Sequence, residues 1–179
     1  MPRTLTTPKL AHFAVVDVES TGTDARTDRV LSVGVVLADR TGAAIETWQT
    51  LVNPGPGVDV GARHIHGIGP EDLTDAPAFA EIAPTLLGLL DGRVAVAHNT
   101  AFDLAIIDAE CARIGLARAA GRTVCTLTTA RKAFDGSHRL GACCERFGIT
   151  LERPHEALSD AAAATELLAR FIADGHVHP

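Results

Sequence analysis

Ala14-Val15-Val16-Asp17-Val18-Glu19-Ser20-Thr21-Gly22 is the stretch that decides how the rest of the chain is read. β-Branched residues run up to a Thr-Gly turn, which is the pattern of a buried strand. Asp17 and Glu19 stand two apart, so on a strand both side chains point to one face, roughly 7 Å apart along the chain. Two carboxylates on one face of an apolar strand repel each other and lose hydration. Either they hold protons to higher pH than usual, or a cation sits between them. A hard divalent ion with oxygen ligands, such as Mg²⁺, meets that need. The alternative at this point is that the strand has ended and both acids face solvent.

Outward from this stretch, the pattern gives a first strand over 12–18, a second over 29–38 and a third over 43–52. Asp39-Arg40-Thr41-Gly42 is a hairpin turn between the last two. Asn53-Pro54-Gly55-Pro56-Gly57 breaks the sheet, and 62–71 reads as a helical turn plus loop. Apolar spacing predicts a helix over 78–90, with Pro84 implying a kink or an earlier start. A short buried strand over 94–97 and a helix over 101–114 follow. After them come a strand over 123–126 and helices over 127–134, 140–147 and 159–173. Antiparallel strands followed by alternating helix and strand predict an α/β fold with a mixed sheet, in one domain over 10–175. Residues 1–9, with two prolines and no periodicity, read as a flexible lead-in.

The chain has 179 residues, enough to bury roughly 70% of its unfolded surface. No apolar run approaches the length of a membrane span, and the first nine residues lack the apolar core of a signal peptide, so no membrane and a cytoplasmic location are expected. Cys111, Cys125, Cys143 and Cys144 show no metal-ligand spacing and are expected as reduced thiols. A net charge of −6 argues against gripping nucleic acid by a broad basic surface, but not against holding phosphates through bound metal. The basic residues are 14 Arg and two Lys. Arg63, Arg131, Lys132 and Arg139 are candidate phosphate contacts, with plain solvated surface as the alternative.

Two further groups carry acids. In His98-Asn99-Thr100-Ala101-Phe102-Asp103, Asp103 stands at a helix start, and a capping box with Thr100 would explain it without chemistry. In Pro154-His155-Glu156-Ala157-Leu158-Ser159-Asp160-Ala161, His155 and Asp160 on one helix would point about 140° apart. They converge if His155 lies in the loop before the helix and Ser159 is its N-cap. The alternative is a surface histidine beside a first-turn acid.

Each group is ambiguous alone, and the ordered combination is not. Asp17-Val18-Glu19-Ser20-Thr21-Gly22 resembles the Asp-x-Glu-Thr-Thr-Gly motif of the DEDD exonuclease superfamily, histidine branch, which includes the proofreading epsilon subunit of bacterial replicative polymerase. His98 to Asp103 is similar to its His-Asn-x-x-Phe-Asp, and His155, Ala157, Asp160 and Ala161 to its His-x-Ala-x-x-Asp-Ala. His66-Gly67-Ile68 and Leu140 through Cys144-Glu145-Arg146-Phe147-Gly148-Ile149 agree with subsidiary stretches, so the likeness spans residues 12–173. Cys125 stands where many relatives carry Asp, and Ser20 replaces the commoner Thr. No counterpart is seen of the C-terminal extension that binds the replicative polymerase, and a polymerase partner is not readable.

The resemblance implies an RNase H-like fold with a mixed five-stranded sheet flanked by helices, and removal of nucleotides one at a time from 3′ ends. It implies two divalent ions, Mg²⁺ or Mn²⁺, held by Asp17, Glu19, Asp103 and Asp160, with Asp17 bridging, Glu19 and Asp160 completing one ion and Asp103 holding the other through water. His155 is the implied general base; an imidazole titrates near neutral pH, and a loop position lets it move. Ser20, Thr21, Gly22, His66, His98, Asn99 and Phe102 are the implied substrate contacts, with backbone N–H groups near Ser20 and Thr21 and base stacking on Phe102. His64 is expected to be structural rather than a ligand. The partner is single-stranded or frayed nucleic acid, DNA ahead of RNA. Alternatives are an exoribonuclease trimming RNA or short oligonucleotides, a small-molecule phosphohydrolase, and a non-catalytic end-binding or polymerase-interaction subunit.

Overall fold

Alternating apolar residues along the first two strands let both faces of one sheet be buried at its centre. The computed structural model describes residues 11–117 and 119–179, so the lead-in over 1–9 lies outside the described residues. Five strands form the sheet: β1 (Phe13–Ser20), β2 (Val30–Ala38), β3 (Ala44–Leu51), β4 (Val94–Ala97) and β5 (Thr123–Cys125). Their order is β3-β2-β1-β4-β5, antiparallel on the β1–β2–β3 side and parallel from β1 through β4 to β5. The Asp39 carboxylate closes the β2–β3 turn by accepting from Thr41 N–H, Thr41 hydroxyl and Ala43 N–H.

The faces divide by parity along β1. Ala14, Val16 and Val18 point to α2 (Phe79–Leu90) and α3 (Thr100–Arg113), where Leu86, Leu90, Ile106 and Ile107 are fully buried. Phe13 and Val15 point the other way, to α4 (Thr126–Ala133), α5 (Leu140–Phe147) and α6 (Ala157–Ala173). Asp17 and Glu19 continue that second parity and therefore face the α6 side. Helix α6 meets the sheet through Ala157, Ala161 and Ala164 near its start and Leu167, Leu168 and Phe171 farther on. A smaller cluster of Leu31, Val60, Ile68 and Leu73 seats α1 (Arg63–His66) and a following 3₁₀ turn (Pro70–Leu73) against the start of β2.

Helix α2 matches the expected span within one residue and runs through Pro84, forgoing one backbone bond. At the C-terminal helix a boundary differs from the sequence expectation. Helix α6 starts at Ala157, with Glu156 as N-cap, so Ser159 is not the cap. Its hydroxyl instead accepts from Arg153 N–H, tying the preceding loop to the first turn. All four cysteines are free thiols. Among the described residues no helix is long and apolar enough to cross a membrane.

Candidate active site

Strand β1 outruns its parallel neighbour, and the site is built at that step. Pairing with β4 ends at Val15 opposite Val96, which leaves the later N–H groups on that edge without a strand partner. Asp103, in the first turn of α3, supplies one: its Oδ1 accepts from Val18 N–H at 3.2 Å. The capping-box explanation of Asp103 is therefore set aside. Asn99 is the N-cap, Thr100 is already helical, and no side chain caps the helix. Asp103 is buried with its carboxylate against β1.

On the opposite neighbour, Asp17 lies across from Gly34 and Glu19 across from Ser32. A Cβ at Gly34 would stand 2.4 Å from Leu158 N and 2.5 Å from the carbonyl of Ala157. Lack of a side chain there lets the first turn of α6 press onto β2 beside Asp17. That turn carries Asp160, and the loop before it carries His155. The sequence reading made nothing of Gly34, although a lone glycine inside an apolar strand signals close backbone approach.

His155 is the one residue other than glycine with positive φ among those described, at 64°. That left-handed conformation strains a side-chain-bearing residue and is found where a site over-determines the backbone. Its N–H donates to Asp160 Oδ2 at 3.2 Å, so the loop histidine and the helical acid are tied together. The loop placement of His155 is met, although Ser159 is not the cap. Glu19, His155 and Asp160 bring ligand atoms within 4.8 Å of one another.

Four carboxylates from three elements thus share one region, and each resists ionisation. Burial raises Asp17 well above the usual range, with further push from Asp103, Asp160 and Glu19. Burial, then Asp160 and Asp103, lifts Glu19 to about 8. Asp103 rises to about 7 by burial, against the pull of N–H groups of Val18, Asp103 and Asn99. Asp160 is raised by burial despite the His155 N–H, and its Oδ1 is buried with no hydrogen-bond partner among the described residues. Like charges forced together with an orphaned oxygen form an all-oxygen donor set that fits a divalent cation.

The implied substrate residues divide into those that face clefts and those that hold the frame. His66 and His155 line a cleft of about 380 Å³ with Glu19, Leu51 and Ile68. His66 accepts from Ile68 N–H at Nδ1, which leaves Nε2–H to donate to Val60 C=O at 3.1 Å. His98 and Asn99 line a second cleft of about 880 Å³ that also reaches His155 and Asp160. Both His98 nitrogens are engaged, with Thr126 hydroxyl and His138 C=O, so its ring braces the loop between α4 and α5. Phe102 is half-buried against the α2–α3 core. Gly22 packs on Asp28, where a Cβ would meet the carboxyl at 2.6 Å. Ser20 hydroxyl donates to Gly22 C=O, and Thr21 hydroxyl to Asp28.

One expectation is corrected here: Thr21 N–H is not open to a ligand, because it donates to Arg29 C=O at 2.9 Å and extends the β1–β2 pairing. His64 is exposed on α1, apart from the carboxylate cluster.

Known proteins resemble the chain in sequence family and in fold. The family model RNase_T, described as an exonuclease, matches residues 14–168. The DNA polymerase III subunit epsilon of Treponema pallidum is 32% identical over 165 residues, covering 90% of this chain and 76% of that one. The PolC-type DNA polymerase III of Bacillus cereus is 30% identical over 164 residues, and there the chain spans only 11% of the relative's length. Among solved structures, the nuclease domain of 3′hExo, a DEDDh family member bound to rAMP, superposes with a TM-score of 0.80 at 16% identity, covering 96% of both chains. That likeness fixes the fold as RNase H-like. With most of its length matched by the family model and its motifs drawn to one place, the chain belongs to the DEDD exonuclease family, histidine branch, and is a 3′→5′ exonuclease.

Proposed function

We propose that the chain hydrolyses single-stranded or frayed DNA from the 3′ end and releases nucleoside monophosphates. The observation that carries this reading is the four-carboxylate cluster with the strained His155 tied to one of its members. Asp17, Glu19, Asp103 and Asp160 would hold two divalent ions, Mg²⁺ or Mn²⁺. When bound, such ions neutralise charge building on the attacking and leaving oxygens of a phosphodiester.

The chain's own groups do the rest. His155 takes the proton from the attacking water; it is exposed at the junction of the two clefts, so its ring can reach solvent and substrate together. Asp160, by accepting the His155 N–H, fixes where that ring stands. The cleft beside His66, Leu51 and Ile68 receives the terminal nucleoside. Phe102 lines neither cleft and supports the start of α3 from the core side. DNA is favoured because the polymerase relatives act in DNA synthesis by name.

The test is digestion of matched 5′-labelled single-stranded DNA and RNA with Mg²⁺, beside EDTA and Asp17→Ala controls. A ladder shortening from the 3′ end, faster on DNA and lost in both controls, is expected. A faster RNA ladder would make the chain an exoribonuclease. Folded protein that gives no ladder on either substrate, with Mn²⁺ as well, would leave an end-binding subunit as the better reading.

A further inference from the structure

The sequence offers four basic residues near the motifs, and the fold separates them. Arg63 is spent in an ion pair with Glu71. Lys132 lines neither of the two clefts described above. Arg131, late in α4, and Arg139, the N-cap of α5, both line the larger one. Both are exposed, and neither has an ion-pair partner among the described residues. Glu145 is the only carboxylate in that lining besides Asp160.

The two clefts meet at His155 and differ in chemistry. The smaller is faced by Leu51, Ile68 and His66, whose ring is held by Val60 C=O and Ile68 N–H. The larger holds two unpaired guanidinium groups. A strand cut near its end is asymmetric in the same sense. On one side of the scissile bond lies a single nucleoside, and on the other a phosphate for every residue. Guanidinium groups suit phosphate oxygens and are weakly hydrated, so they give up little on binding them.

We propose that the cleft between α4 and α5 is the track for the strand on the 5′ side of the scissile bond, with Arg131 and Arg139 holding its phosphates. This rests on the exonuclease reading of the carboxylate site and adds direction to it: the strand enters over α4 and α5 and ends beside His66. A chain of net charge −6 then grips its polyanion by two placed cations rather than by a basic surface.

The experiment compares wild type, Arg131→Ala/Arg139→Ala, Arg131→Lys/Arg139→Lys and Lys132→Ala on two substrates with Mg²⁺. One is a single-stranded DNA 20-mer, and the other is the p-nitrophenyl ester of thymidine 5′-monophosphate, which has no upstream strand. The double alanine variant is expected to raise KM on the 20-mer on the order of tenfold, and to lower the slope of log KM against log salt by about 1.4, two contacts at about 0.7 each. Its loss on the ester should be far smaller than on the 20-mer. The lysine pair should recover most of the 20-mer effect, and Lys132→Ala should change it less than about twofold.

Equal losses on both substrates, an unchanged salt slope, or a Lys132→Ala effect matching the arginine variants would overturn the track. Binding of a fluorescent 20-mer in EDTA, read by anisotropy, decides it independently of cleavage. A wild type that binds no tighter than the double alanine variant refutes the track. A wild type that binds tighter by the expected salt slope, yet cleaves neither substrate, supports the track and refutes the exonuclease reading.

Discussion

His155 shows how much one residue's backbone can carry. It sits in left-handed space with a full side chain, and its N–H is held by the acid that opens into the site. As a proton acceptor it should be worth about 10²–10⁴-fold in rate. His155→Ala is therefore expected to lower kcat on single-stranded DNA within that range while keeping the rise in melting temperature that Mg²⁺ gives. Loss of the Mg²⁺ response along with the rate would make His155 a ligand instead. Its pairing with Asp160 was legible as a condition: the two residues converge only if the histidine precedes the helix. That Ser159 is not the cap was not legible, because Ser at a helix start is a good cap on propensity alone. Glu156 takes the place because the close seat of α6 on the sheet begins the helix earlier.

At the scale of elements, the site depends on how near α6 approaches β2. Gly34 permits that approach beside Asp17, since any Cβ there meets the backbone of Ala157 and Leu158, which cannot rotate away as a side chain could. Gly34→Ala should push the first turn of α6 outward and cost about 1–3 kcal/mol of stability. Activity should fall at least tenfold, beyond what the fraction unfolded explains, as read by denaturation and kcat on the same preparation. Full activity in a folded variant would show that the helix start does not set the site.

A second joint lies between α3 and the loop before β2. Glu110, 1% exposed, accepts from Arg29 Nε at 2.7 Å and from Val30 N–H at 3.1 Å, with Arg113 at 3.5 Å. Glu110→Ala leaves those donors with no acceptor and should cost about 3 kcal/mol in urea unfolding. A cost below 1 kcal/mol would mean water replaces the carboxylate there.

Over the whole molecule the carboxylate cluster makes stability depend on pH and on metal. Asp17, Glu19, Asp103 and Asp160 all hold protons to higher pH when folded than when unfolded. Between the ordinary carboxylate range and about 8 the folded chain binds more protons at these groups, so their contribution to its unfolding free energy falls as pH rises. That stabilising contribution is complete below the ordinary carboxylate range and is lost through about 7 for Asp103 and about 8 for Glu19. In EDTA the melting temperature should therefore drop between about pH 7 and about pH 8.5, and saturating Mg²⁺ should raise it more at the higher pH. Below that window His12, His66 and His98, lowered by burial, push the other way. A metal-free melting temperature that rises across this window would remove the electrostatic case for a cation site.

The sequence by itself determined the strand that carries Asp17 and Glu19 on one face and the mixed α/β layering, because strand parity and apolar spacing are local properties. Asp103 and Asp160 stand out only through the resemblance of the ordered motifs to a known family. Only the tertiary structure decided that Asp103 answers an open N–H of β1 rather than capping its own helix. It also decided that Thr21 N–H is spent on strand pairing, that His98 braces a loop, and that Gly34 admits α6. Each of these joins residues far apart in the chain. Which hydrogen bond a group makes is settled by the competing partners the fold brings near it, and local spacing carries no record of them.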